Sequence, residues 1–171
     1  MRKRYALVPQ QTDHTCGIAC LQTVARLLKS PVFPTRYMKP RLGTTVRDGT
    51  SVAAMTNWAK QRLPFESAGE NTWTGGLAIA LTSYLEEDQT ETGHYEVFLG
   101  RIDDRIVSWC PWLATVSTLP EAEIRWQAHL HHPHETTYTR WSLNFRHHYS
   151  EKDLLVFAGM TAPKRLALPP P

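Results

Sequence analysis

The chain has 171 residues, which is the size of one compact domain of roughly 100–200 residues. Hydrophobic residues make up 42% of the chain and charged residues 20%, a composition that excludes disordered and collagen-like proteins. The formal net charge is only +3, from 19 basic and 16 acidic residues, so we expect no nucleic-acid partner.

The chain contains no apolar run near the roughly 18 residues that a membrane-spanning helix needs, so we expect no membrane insertion. Arg2, Lys3 and Arg4 give a basic start, but the apolar segment that follows in a signal peptide is missing. We therefore expect a cytoplasmic protein, with non-classical export left open. An odd count of three cysteines is too low for a disulfide scaffold and predicts at least one free thiol.

Two helices are predicted in the first part of the chain. Thr12 to Thr15 form a run of capping-type residues, and the apolar residues that follow at helical spacing predict a helix that ends before Pro31. A second helix is predicted after Ser51, and Pro64 closes it. Cys16 is then expected in the first turn of the first helix.

From about Leu77 the spacing of the apolar residues changes from helical to alternating, which predicts strands. The predicted strands are Leu77 to Leu85, His94 to Arg101, Arg105 to Cys110, Tyr138 to Phe145 and Leu154 to Ala158. Asp103-Asp104 is the predicted turn of a hairpin. Helices followed by an antiparallel sheet predict an α+β fold.

The strongest chemical signal surrounds Cys16. A cysteine at a helix N-terminus faces the positive end of the helix dipole, which predicts a lowered thiol pKa and a nucleophile. Gly17 leaves room for a substrate carbonyl, and an oxyanion would be held by the N–H of Cys16 and by the side-chain amide of Gln10 or Gln11. The alternative is that Cys16 and Cys20 are small buried hydrophobic residues.

A thiol nucleophile needs a base, and His94 is the candidate among the 8 histidines. Gly93-His94-Tyr95 opens a predicted strand, where an imidazole could take the thiol proton and return it to a leaving amine. The segment His129-Leu130-His131-His132-Pro133-His134 permits an alternative, a zinc- or nickel-binding protein. We expect that segment to be a polar loop, and we expect no metal and no cofactor.

These residues resemble the papain-like cysteine peptidases that cleave bacteriocin precursors after double-glycine leaders, usually as the N-terminal domain of an export transporter. The matching features are Gln10 before Cys16, the run Cys16-Gly17-Ile18-Ala19-Cys20-Leu21, Gly43-Thr44 and Gly49-Thr50-Ser51 before the second helix, and Gly93-His94-Tyr95. The resemblance covers residues 10–112. Residues 113–171 diverge from it, and we expect them to complete the sheet of a single domain spanning 1–171.

The resemblance implies a papain-like fold, a peptide or protein substrate, Cys16 as nucleophile, His94 as general base and acid, and Gln10 as the oxyanion-hole side chain. One position departs from the family pattern, because Cys110 stands where the family has an aspartate. A thiol cannot hold an imidazolium as a carboxylate does. The third role could fall to Glu96, or a Cys–His dyad could be oriented by a backbone carbonyl or water.

Asp103 and Asp104 are poor substitutes for that carboxylate, because extended residues would carry them to the far end of the hairpin. Two functions therefore remain open beside the metal-binding alternative. The first is a cysteine peptidase or amidase that cleaves a peptide or isopeptide bond, stand-alone rather than transporter-linked, acting as a bacterial effector or in peptide maturation. The second is a catalytically impaired papain-like fold that binds a peptide or protein.

Overall fold

A computed structural model describes residues 6–85, 91–126, 128–132, 135–138 and 140–159. The elements are α1 (Cys16–Leu27), α2 (Thr35–Arg41), α3 (Val52–Arg62), β1 (Phe65–Glu70), β2 (Ala78–Leu85), β3 (Glu91–Ile102), β4 (Arg105–Cys110), β5 (Thr115–Pro120), a one-turn helix (Glu121–Glu123), β6 (Ala128–His132), β7 (Glu135–Tyr138), β8 (Trp141–Phe145) and α4 (Glu151–Ala158). Over this described part, no helix combines the length and the apolar character needed to cross a bilayer.

The main sheet has six strands in the order β1-β8-β2-β3-β4-β5, and β6 and β7 form a separate two-stranded sheet. Every pair of neighbouring strands is antiparallel. Ile102 pairs with Arg105, so Asp103 and Asp104 form the turn of the β3–β4 hairpin, as predicted. Three helices precede the sheet, and the predicted α+β fold is confirmed.

The two faces of β3 contribute to different cores, because alternate residues of a strand point to opposite sides. Tyr95 and Val97 belong to the large core that includes the buried face of α1. Phe98 belongs to a smaller core with Trp126 on the opposite face. By the same alternation His94 and Glu96 share the face of Phe98. The side chain of the candidate base thus leaves β3 on the face opposite to those of Tyr95 and Val97.

Helix α1 approaches β3 closely because Gly17 has no side chain. A Cβ at this position would lie 3.0 Å from Sδ of Met55 and 3.2 Å from both Cβ of Thr50 and Cδ2 of Tyr95. Such distances are shorter than ordinary van der Waals contact, so a larger residue would push α1 off the sheet. In the structure, Gly17 therefore allows helix packing, a role that its sequence context did not reveal.

The prediction of a strand over Leu154–Ala158 is wrong, because these residues lie in α4. Ser150 caps this helix through its side chain, which accepts a hydrogen bond from Asp153 N at 3.2 Å, and such a cap favours a helix start. Leu154 and Phe157 are buried while Leu155 is 56% exposed. Buried residues spaced three apart are typical of a helix. The sequence did not show this spacing, because all the residues from Leu154 to Ala158 are apolar.

Candidate active site

The chain enters α1 through a turn that Thr15 holds in place. Its hydroxyl accepts hydrogen bonds from the backbone N–H groups of Gln11 at 3.2 Å and Thr12 at 3.0 Å, and donates to the carbonyl of Thr12 at 2.9 Å. Cys16 follows as the first residue of α1, as predicted, and is 8% exposed. The first N–H groups of a helix lack helical partners, so donors are concentrated at this end of α1.

The two cysteines of α1 lie against the backbone of one residue of β3. Cys20 Sγ donates to the carbonyl of Tyr95 at 3.3 Å, and the backbone of Tyr95 also hydrogen-bonds to the sulfur of Cys16. The ladder between β3 and β4 reaches only as far as the pair Val97 and Trp109. Cys16 therefore lies beside Tyr95, the residue that follows His94.

The pKa of the Cys16 thiol is raised above its ordinary value, contrary to the lowering that its place at a helix N-terminus predicts. Burial is the main cause, because it disfavours the thiolate. Backbone hydrogen bonds from Tyr95, Gly17 and Cys16 itself act in the opposite direction and are the weaker influence. Cys16 is therefore a neutral thiol at neutral pH.

His94 lies within β3, three residues after the strand begins at Glu91, rather than at the strand entrance that the sequence predicted. It is 5% exposed. Burial lowers the pKa of His94 to about 4, so the imidazole is neutral at neutral pH. A neutral imidazole can act as a base, which an imidazolium cannot.

The structure brings Cys110, the last residue of β4, to His94. Cys110 Sγ lies 3.4 Å from Nε2 of His94, and the same sulfur accepts a hydrogen bond from Leu113 N at 3.5 Å. The pKa of the Cys110 thiol is raised to about 11, mainly because the thiol is buried. Cys110 thus occupies the position in which the resembled family has its aspartate, and it supplies no negative charge there at neutral pH.

Glu96 also reaches this group. One carboxylate oxygen of Glu96, one ring nitrogen of His94 and Sγ of Cys110 all lie within 4.8 Å of one another. Glu96 Oε1 accepts a hydrogen bond from Thr82 Oγ1 at 3.4 Å, and Ser108 hydrogen-bonds to the same carboxylate. Burial nevertheless dominates and raises the pKa of Glu96.

Thr82 and Ser108 were not singled out from the sequence, although a signal was available. Both are buried polar residues, 5% and 1% exposed, in strands in which most of the buried residues are apolar. Thr82 pairs with His94 across the sheet, and Ser108 is two residues before Cys110. Strand alternation places each of them on the same sheet face as the candidate base.

Gln10 lies on the segment of residues 8–15 that leads into α1, which we call the strap. The backbone N–H of Gln10 donates to the carbonyl of Pro111 at 3.0 Å, so the strap runs beside the end of β4. Its side-chain Nε2 donates to the carbonyl of Thr12 at 3.0 Å. Oε1 of Gln10 is buried and has no hydrogen-bond partner among the described residues.

The remaining candidates lie apart from this group. Gln11 is exposed on the strap, and Asp103 and Asp104 are in the turn at the other end of the hairpin. His129, His131 and His132 lie on β6, of which only the backbone is described, and Pro133 and His134 lie outside the described residues. The suggested zinc- or nickel-binding segment is therefore outside the part of the chain whose side chains are described.

No family model matches the chain, and no curated protein matches it. Among solved structures, the peptidase domain of Streptococcus ComA, a bifunctional ABC transporter involved in a quorum-sensing pathway, superposes with a TM-score of 0.57. The chain has the fold of that peptidase domain. The match covers 81% of this chain and 95% of the ComA domain at 19% sequence identity.

The ComA match confirms, for the fold, the resemblance inferred from the sequence motifs. It also extends over a larger share of the chain than residues 10–112, on which those motifs lie. At this level of identity the likeness concerns the backbone architecture, and chemistry has to be argued from the side chains of the site.

Proposed function

We propose that the protein is a cysteine peptidase or amidase in which Cys16 is the nucleophile and His94 the general base and acid. The observation that carries this proposal is the position of Cys16 at the start of α1, with the backbone of Tyr95, the neighbour of His94, directed at its sulfur. This arrangement puts a thiol beside unpaired helix N–H groups that can hold an oxyanion. The substrate is a peptide or protein segment.

The reaction begins from two neutral groups. As Cys16 Sγ attacks the substrate carbonyl carbon, His94 accepts the thiol proton and the carbonyl π electrons move to oxygen. The oxyanion is stabilised by the N–H of Cys16 and by Nε2 of Gln10, which retains a second hydrogen beyond the one donated to Thr12. Collapse of the intermediate breaks the C–N bond, and the amine leaves with the proton from His94.

The acyl group is then held on Cys16 as a thioester. A water molecule attacks its carbonyl carbon while His94 accepts the water proton, and cleavage of the C–S bond returns that proton to the sulfur. Cys110 keeps the imidazole ring in place through its contact with Nε2. Because Cys110 is neutral, it stabilises the imidazolium intermediate less than a carboxylate would.

We further propose that the enzyme works in a reducing compartment such as the cytoplasm. All three cysteines are free, and thiols persist where cellular reductants are abundant. Action in peptide maturation or as a bacterial effector belongs to the same proposal.

The proposal is tested by alkylation and by hydrolysis. We expect iodoacetamide at about pH 7.5 to modify Cys16 faster than Cys20 or Cys110, as read from the masses of proteolytic fragments. His94→Ala should slow modification of Cys16 selectively. On any peptide that the wild type cleaves from a synthetic library, Cys16→Ala should be inactive while Cys20→Ala retains turnover. Equal alkylation of all three thiols, or cleavage by Cys16→Ala, would refute the assignment.

A second candidate is a peptide-binding protein with impaired catalysis. It is favoured by one observation, the uncharged Cys110 at the position of the third catalytic group. Cys110→Asp separates the two functions, because a carboxylate would raise the pKa of His94 and stabilise its protonated form. If the wild type cleaves none of the library and Cys110→Asp does, the natural chain is a binding protein.

A further inference from the structure

We propose that His94, Glu96 and Cys110 form a binding site for one zinc ion, and that zinc bound there blocks the use of His94 as a base. The three side chains offer the imidazole nitrogen, carboxylate oxygen and thiolate sulfur that zinc prefers in proteins. Their ligand atoms already lie within 4.8 Å of one another. None of the three residues belongs to the histidine-rich segment that the sequence singled out.

The geometry fits a tetrahedral ion. With a Zn–S distance of about 2.3 Å and a Zn–N distance of about 2.0 Å, the sulfur and nitrogen of a zinc site are about 3.5 Å apart. Sγ of Cys110 and Nε2 of His94 are 3.4 Å apart. These two ligands therefore need almost no movement, and rotation of the Glu96 side chain would bring its carboxylate into the first coordination sphere.

The surroundings of the three ligands also suit a metal site. Thr82 donates a hydrogen bond to Glu96 Oε1, and Ser108 contacts the same carboxylate, so the oxygen ligand is held by outer partners of the kind that orient metal ligands. Cys110 immediately precedes a turn in which Leu113 is 55% exposed, so the sulfur ligand lies close to the protein surface in the chain. Three protein ligands leave the fourth position open to water.

Zinc binding would compete with the proposed chemistry for the single lone pair of the neutral His94 imidazole. A neutral imidazole has a single nitrogen lone pair, because its other nitrogen carries hydrogen. If Nε2 of His94 coordinates zinc, the lone pair is used and the ring cannot accept the Cys16 proton. Binding replaces the thiol proton of Cys110, which is released to water together with any proton on Glu96. The inhibitory consequence rests on the proposed role of His94, whereas the binding itself does not.

The experiment uses the full chain, reduced and freed of metal with EDTA and then exchanged into chelator-free buffer. Zinc affinity is measured by competition with a chromogenic chelator, and Co²⁺ is added separately as a spectroscopic substitute. We expect one ion per chain and a sulfur-to-cobalt charge-transfer band in the near ultraviolet. Loss of an outer hydrogen bond typically weakens a metal site about 10–100-fold, so Thr82→Val should fall in that range, and Cys110→Ser and Glu96→Gln should lose more.

Cys16→Ala is the matched control, because it removes a neighbouring thiol that the metal site does not use. This variant should keep the zinc affinity and the cobalt band even though it abolishes hydrolysis. The test of metal binding is therefore valid even if the peptidase proposal fails. Cys110→Asp should bind zinc without giving the cobalt band. This second variant tests the sulfur ligand if Cys110→Ser does not fold. Failure of the wild type to bind one zinc ion, a cobalt complex without the band, or a band that disappears in Cys16→Ala would each overturn the proposal.

Discussion

His94 is buried next to a thiol, that of Cys110, which carries no charge at neutral pH. Its Nε2 contacts the Cys110 thiol, its ring meets Tyr84 edge to face with centroids 6.0 Å apart, and Glu96 has a raised pKa. Burial is the reason that the pKa of His94 falls. The imidazole is therefore unprotonated at neutral pH, and the neutral Cys110 thiol gives it little help in holding a proton.

This lowered pKa predicts loss of stability in mild acid. The unfolded chain protonates its histidine near pH 6.5 and the folded protein near pH 4, so the unfolded state binds more protons between these values. The stabilising contribution is complete above about pH 6.5 and lost as the pH falls towards 4. Between about pH 7 and pH 5, the free energy of unfolding should decrease by about 2 kcal/mol from this group alone.

The measurement is urea unfolding of metal-free protein at both pH values, with His94→Gln as the control. Cys110 stays neutral over this range. Glu96, whose pKa is raised, acts in the opposite sense, since its contribution is present below its ordinary pKa and is lost as the pH rises through the folded pKa. The difference between wild type and His94→Gln isolates the histidine, and the idea fails if both variants respond equally to pH.

Gln10 should matter to turnover and hardly at all to substrate binding. Removing one oxyanion donor typically lowers kcat by about 10²–10³-fold, so Gln10→Ala should do so at nearly constant KM. Gln11→Ala provides the control, because Gln11 is the adjacent glutamine and its side chain is exposed. Steady-state kinetics on a cleaved peptide distinguish the two. Equal losses for Gln10→Ala and Gln11→Ala would remove Gln10 from the oxyanion site.

At the scale of elements, the burial pattern of α4 is that of a helix, whereas its run of apolar residues predicted a strand. Leu154 is 2% exposed and its side chain lies against Gly100, where a Cβ would be 2.9 Å from Cδ1 of the leucine. Leu155, the next residue, is 56% exposed. In a helix these neighbours face different surroundings, and only the first contributes to the core.

Leu154→Ala should therefore cost about 2–5 kcal/mol of unfolding free energy, as large-to-small substitutions in a packed core do. Leu155→Ala should change it by less than about 0.5 kcal/mol, as exposed substitutions do. Chemical unfolding of the two variants beside the wild type checks both values. Similar costs at the two positions would contradict the burial pattern of α4.

The success of sequence patterns differed among the elements for physical reasons. Local signals predicted α1 and the β3–β4 hairpin. Capping residues before Cys16 mark the start of α1, and Asp103-Asp104 marks the turn of the hairpin. Helix α2 was missed because it is short, contains Pro40 and buries only Met38. Strands β1 and β5 were missed because they lie at the two edges of the sheet, where inward and outward positions are less distinct.

The same distinction applies to the site. The types and spacing of Cys16 and His94 predicted a thiol site, and Cys110 was recognised as the residue in place of an aspartate. The direction of the Cys16 pKa was predicted wrongly because the helix dipole is a local property, whereas burial depends on how α1 packs on β3. The grouping of Glu96 with Thr82 and Ser108 depends on strand register, which no local pattern specifies.

At the scale of the whole molecule, the strap connects the site to both α1 and the sheet. The backbone N–H of Val8 donates to Thr23 Oγ1 on α1 at 2.9 Å, and the indole Nε1 of Trp109 donates to the carbonyl of Val8 at 3.3 Å. Gln10 follows and bonds to Pro111. The position of the Gln10 side chain is therefore set by contacts outside the site.

Thr23→Val tests this connection, because it keeps the side-chain shape and leaves the Val8 N–H without its acceptor. We expect a loss of about 1 kcal/mol in unfolding free energy. We also expect lower kcat with an unchanged rate of Cys16 alkylation, since Gln10 moves and the thiol does not. Thr56→Val on α3 serves as the control. A fall in the Cys16 alkylation rate together with kcat would show that Thr23 supports α1 itself.

The β3–β4 hairpin has a consequence for the order in which the site is assembled during folding. His94 and Cys110 are separated by 16 residues within one hairpin, whereas the contact of Cys20 with Tyr95 spans 75 residues. Closing a short loop costs less chain entropy than closing a long one, and local pairings form sooner. The histidine and its neighbouring thiol can thus meet while the chain is still largely unfolded, and Cys16 joins them only when α1 docks. An ion captured by the hairpin at that early stage would be in place before Cys16 reached the site.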